Sequence, residues 1–157
     1  MKRIIHTHHA ASAIIAFNGW QLGFSSFSDA ANFPAIQSLL RNFYNAINNA
    51  VCSEYGIAPD VQREFSRMSM IRLTNPQICD TIERNIEQPL RQLGPDEKIA
   101  LPLKLLLKYN FNTLPLCRTA AAAVLCGEKN EPDWGKRFGI GQAGMVFSYI
   151  SKITDKT

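Results

Sequence analysis

Apolar residues return every three or four positions through the first half of the chain, and Ile36, Leu39, Leu40, Phe43, Ile47, Ala50 and Val51 share one helical face. Asn32 suits the N-cap of that helix, Pro34 fits its first turn, and Gly56 can stop it near Tyr55. A second helix begins at Pro59, with Val61, Phe65, Met68 and Arg72 forming its expected inward stripe. Thr74-Asn75-Pro76 repeats the start signal for a third, carrying Ile78, Cys79, Ile82, Ile86, Leu90 and Leu93, with Pro89 kinking or ending it. Gly94-Pro95-Asp96-Glu97 opens a fourth that runs to about Tyr109, its acidic residues placed where the helix dipole favours negative charge.

Pro115 to Cys126 predicts a short, Ala-rich, closely packed helix stopped by Gly127. A polar loop from Glu128 to Arg137 and a last helix from Gln142 to Ile153 follow. Residues 10 to 28 read two ways: Asn18-Gly19 suits the turn of a short N-terminal β-hairpin, or Gly19 ends a short helix. The pattern as a whole predicts a mainly α fold, a single compact domain over 1–157 of five or six helices, with residues 1–9 and 154–157 flexible.

Composition agrees with a packed globule: 46% of the 157 residues are hydrophobic and 19% charged, so the chain is not apolar-poor and charge-rich as a disordered one would be. The formal net charge of +4 favours acidic partners mildly, but no run of five like charges marks a dedicated nucleic-acid binder. Three histidines interrupt the place where the apolar core of a signal peptide should follow Lys2-Arg3, and no segment reaches the roughly 20 apolar residues of a membrane span. The expected setting is therefore cytoplasmic or otherwise intracellular. Cys52, Cys79, Cys117 and Cys126 lack the paired spacing of a zinc site and read as reduced, buried small hydrophobes.

His6, His8 and His9 form one cluster, and His6-x-His8 after an Ile-rich stretch resembles the metal-binding start of metal-dependent amidohydrolases. That family needs further His and Asp ligands on later barrel strands, which this chain lacks, so the cluster is read as part of a flexible or locally packed terminus. Gly139-Ile140-Gly141-Gln142-Ala143-Gly144 fits G-x-G-x-x-G, but no apolar strand precedes it and thirteen residues follow, too few for a dinucleotide-binding unit. No metal and no cofactor are implied.

With no catalytic constellation surviving its context, the sequence reads as a non-enzymatic helical interaction or regulatory protein that acts through a protein partner. The first alternative is a nucleic-acid binder using a helix-turn-helix-like pair around residues 45–72, with Arg63, Arg67 and Arg72 meeting phosphates or base edges. The second is a cysteine hydrolase with Cys117 at a helix start as nucleophile, served by one of the three histidines.

Overall fold

A computed structural model describes residues 2–134 and 136; the Gly139–Gly144 motif and the helix expected over Gln142–Ile153 lie outside the described residues. The described residues form eight α-helices: α1 Ala10–Gln21, α2 Phe27–Asn32, α3 Pro34–Tyr55, α4 Pro59–Thr74, α5 Ile82–Asn85, α6 Pro89–Gln92, α7 Ala100–Lys108 and α8 Leu114–Asn130. Their one β feature is an isolated bridge between Ser26 and Thr81. The mainly α expectation holds, with more and shorter helices than the five or six foreseen.

The chain is organised around α1, whose residues Ala10, Ala11 and Ala13 to Phe17 are fully buried. A helix apolar on every side can be stable only when other helices surround it. One part of the core, with Ile14, Ile15, Leu40, Phe43, Ile47 and Leu106, joins α1 to α3 and α7. The other, with Ala13, Phe17, Leu93, Ile99, Ala123 and Trp134, joins it to α8 and the segment before α7.

Of the two readings of residues 10 to 28 the helix holds, running past Gly19 to Gln21 as α1, and the hairpin does not form, because Asn18 and Gly19 are used for packing and not for turning. Asn18 Nδ2 donates to Ile14 O at 2.8 Å and to Thr119 Oγ1 on α8 at 3.0 Å. A Cβ on Gly19 would stand 2.8 Å from Ala30 Cβ and 2.9 Å from Ile82 Cδ1, so this glycine lets α2 and α5 approach. Gly23, at φ +84°, ends the segment instead.

Two other expectations give way. The single helix foreseen from Asn75 to Leu93 breaks into irregular chain, α5 and α6, with Gln88 left-handed at φ 52° just before Pro89. Proline disfavours helical backbone at the residue before it, which is why the pattern cannot run through. The α8 helix passes Gly127 and ends at Asn130, since Gly127 is where the ring of Trp134 lies against the backbone.

The inward face of α4 is also not the foreseen one. Val61 and Met68 are about half exposed and Arg72 is exposed, while Gln62, Ser66, Ser69 and Leu73 are buried. That polar stripe is hydrogen-bonded throughout: Gln62 donates to Asn48 Oδ1 at 3.0 Å and Thr7 Oγ1 at 3.2 Å, and Ser66 donates to Asn48 Oδ1 at 2.6 Å. A buried polar side chain with its partners in place removes the penalty that an apolar pattern is meant to avoid. Because Gln62 pairs with Asn48 and Ser69 with Tyr44, α3 and α4 run antiparallel across the Gly56 turn.

The chain start is helical, where a flexible segment was expected. Ile5–His9 is one widened π turn in which the Ala10 N–H reaches Ile5 O, and it buries His6 and Thr7. Arg3 fixes this segment to α4 by donating to Gln62 Oε1 and Val61 O, both at 2.8 Å, with its guanidinium 4.2 Å from the Phe65 ring centre. No helix among the described residues is long and apolar enough to cross a membrane.

Candidate functional site

The single π turn carries all three histidines, and such widened turns occur often at functional sites. His6 points inward, with Nε2 3.0 Å from Tyr55 Oη and Nδ1 buried without a partner among the described residues. Burial lowers its pKa to about 4, outweighing the opposing pull of Glu54. His8 Nδ1 lies 2.8 Å from Ser69 Oγ, which is in turn 3.0 Å from Tyr44 Oη. Burial lowers the pKa of His8, helped by His9 and Arg72, and that of His9, helped by Lys98.

Two cavities share His8 and Ser12 in their walls. The larger, of about 450 Å³, is lined also by His9, Arg91, Gln92, Glu97 and Lys98. The smaller, of about 250 Å³, is lined also by Arg72, Asn75, Asp80, Arg84 and Asn85. Together they form a polar cleft between the π turn, the end of α4 and the broken chain of α5 and α6. Four cationic side chains, Arg72, Arg84, Arg91 and Lys98, border it.

These groups are not equivalent. Arg84 is held by Asp80, with Nε donating to Oδ1 at 2.8 Å, and this pairing keeps the Asp80 carboxyl at about 2. Lys98 is half-buried, and desolvation followed by repulsion from Arg91 brings its pKa down to about 8. Gln92 is 5% exposed; its amide donates to the carbonyls of Asn85 and Glu87 at 3.1 and 2.6 Å, while its Oε1 has no hydrogen-bond partner among the described residues. A buried acceptor left unpaired costs about 1–3 kcal/mol.

The arginines singled out from sequence do not form one surface. At about 100° per residue, Arg72 lies about 180° around the helix from Arg63. Arg63 and Arg67 are on the outward side, where Arg67 donates to both Glu64 carboxylate oxygens at 2.8 Å, while Arg72 lines the cleft. Cys117 is exposed on α8, and among the described residues no contact joins it to a histidine; Cys79 is exposed and Cys52 half-buried, leaving Cys126 as the buried cysteine of the four. Sequence reasoning saw the histidines without their setting and missed Ser12, Arg84, Arg91, Gln92 and Lys98. The available signal was the seven-residue interval from Arg84 to Arg91, cations on successive short helices.

No family model matches the chain. It is 26% identical over 124 residues to the mannitol-1-phosphate 5-dehydrogenase of Brevibacillus brevis, covering 79% of this chain and 32% of that enzyme. Against that of Shouchella clausii the identity is 24% over 156 residues, covering 98% and 42%. The corresponding enzyme of Halalkalibacterium halodurans is 25% identical over 123 residues, covering 78% and 33%. The chain thus spans about a third to two-fifths of the length of these relatives. Similarity to an enzyme, repeated across several species, overturns the expectation of a non-enzymatic interaction protein and sets aside its nucleic-acid and cysteine-hydrolase alternatives.

Proposed function

We propose that this chain forms the substrate-binding helical part of a dehydrogenase that acts on a phosphorylated sugar alcohol. The observation that carries the reading is the cleft itself, which combines histidines favouring the neutral state with four bordering cations. The named activity of the relatives supplies the substrate class.

Oxidising a secondary alcohol to a ketone takes a proton from oxygen and a hydride from carbon. His9 is the group we assign to the proton: it is exposed in the larger cavity, and burial together with Lys98 favours its neutral form, so its imidazole can accept a proton near neutral pH. Lys98, charged below about pH 8, stands on the same wall and can donate a hydrogen bond to the oxygen as negative charge develops there. Arg91 and Arg72 present guanidinium groups to a phosphate monoester, for which their planar fork is well matched. A bound hydride acceptor supplies the other half of the reaction, and the described residues, all helix and loop, form no strand-turn-helix cradle for a dinucleotide.

Titration calorimetry with mannitol 1-phosphate and with unphosphorylated mannitol tests the reading. Binding of the phosphate ester that is weakened by salt, and lost when Arg91 and Lys98 are both changed to Gln, is the expected result. Equal affinity for mannitol and its phosphate, or none for either, would overturn it.

A further inference from the structure

A cavity of about 680 Å³ shares no lining residue with the cleft, although both draw on α5 and its flanks. Its apolar surface comes from the rings of Trp20 and Phe24 and the side chain of Ile86; its rim carries Glu83, Glu87 and Glu131. Trp20 and Phe24 are each half-buried, and Phe24 is braced by Phe33 at a ring separation of 5.3 Å. Neither Glu83 nor Glu87 makes an ion pair among the described residues, and both are exposed. Glu131 accepts from the Leu90 N–H at 3.4 Å, which joins the end of α8 to α6 across the cavity.

Aromatic faces carry negative electrostatic potential and attract cations, most strongly where carboxylates add to the field. The protein already uses Trp20 in this way: Lys129 places its ammonium 5.9 Å from the ring centre. An acidic rim repels phosphates and carboxylates, and the three carbon surfaces favour a ligand with an apolar body.

We propose that this cavity binds an organic cation, an alkylammonium or quaternary ammonium group set against Trp20 and Phe24 and neutralised by Glu83 and Glu87. The ligand chemistry is opposite in sign to that of the cleft, so the two sites bind different compounds and do not compete directly.

Calorimetry on the whole chain with choline tests this, with its uncharged analogue (carbon in place of nitrogen) and glucose as controls. Choline should bind, more weakly as salt rises, and the double variant Glu83→Gln, Glu87→Gln should lose about tenfold in affinity, the scale of two partly exposed charge interactions. Both carboxylates are exposed, so the variant keeps the helical circular dichroism of the parent. Lys129→Gln removes a competing cation from Trp20 and should tighten binding. Equal affinity for the uncharged analogue, preference for glucose, or indifference to both sets of substitutions would overturn the proposal.

Discussion

The hydroxyl of Ser69 lies 2.8 Å from His8 Nδ1 and 3.0 Å from Tyr44 Oη. The pair links a cleft histidine to the buried centre of the α3–α4 hairpin. Burial raises the Tyr44 pKa to about 12, so the phenol keeps its proton and can donate it to Ser69, which then donates to His8. Ser69→Ala leaves the Tyr44 hydroxyl buried without this partner and should cost about 1–3 kcal/mol in urea unfolding. Adding Tyr44→Phe removes the stranded group, so the double variant should lose less than the sum of the two single changes. Strict additivity would show that the three side chains do not act as a unit.

Gly19 makes a second, steric prediction. Its substitution by Ala puts a Cβ within 3 Å of Ala30 Cβ and Ile82 Cδ1, forcing α2 and α5 away from α1. Overpacking of this kind costs about 1–3 kcal/mol. Gly23 has open space around it but φ +84°, so Gly23→Ala should cost about 1 kcal/mol through backbone strain alone. If the two variants melt alike, close packing at Gly19 is not what selects glycine there.

His6 makes stability depend on pH. Its folded pKa of about 4 lies below the 6.5 of a free histidine, so the unfolded chain takes up the proton first as pH falls. The stability from neutral His6 is complete above about pH 6.5 and is lost progressively down to about pH 4, by about 3 kcal/mol for a shift of this size. Urea midpoints measured across that interval should fall for the parent and change less for His6→Asn. Asp80, held at about 2, loses its contribution only below this window, so the two groups can be told apart.

Periodicity revealed α3 and its boundaries because Ile36, Leu40, Phe43 and Ile47 bury one continuous apolar face, and Gly56 stops it by adopting φ 64°. It misread α4 because there the core side is Gln62, Ser66 and Ser69, whose burial depends on partners far along the chain such as Asn48 and Thr7. It left Asn18-Gly19 undecided between hairpin and helix because a turn signal and a helix-contact signal use the same residue types. The cleft was illegible for a related reason. His9, Arg91 and Lys98 sit on separate elements that converge only when the π turn and the α6 break are in place, and neither has a periodic signature.

Lys98 gives the proposed cleft a pH signature of its own. Desolvation first and Arg91 second bring its ammonium down to about 8, well below the 10.5 of a free lysine. A phosphate monoester is already doubly charged above about pH 7, so the ligand contributes little further change on the alkaline side. If the neutral amine contributes no attraction, affinity for mannitol 1-phosphate should fall about tenfold between about pH 7 and 9, following the protonated fraction of Lys98. Bound phosphate stabilises the ammonium, so calorimetry near pH 8.5 in two buffers of different ionisation enthalpy should detect net proton uptake on binding. Lys98→Arg keeps its charge throughout and should abolish both the pH step and the uptake, while Lys98→Gln should bind weakly at every pH. A parent profile that is flat from pH 7 to 9 would remove Lys98 from the substrate site, leaving Arg91 and Arg72 as the cations to test.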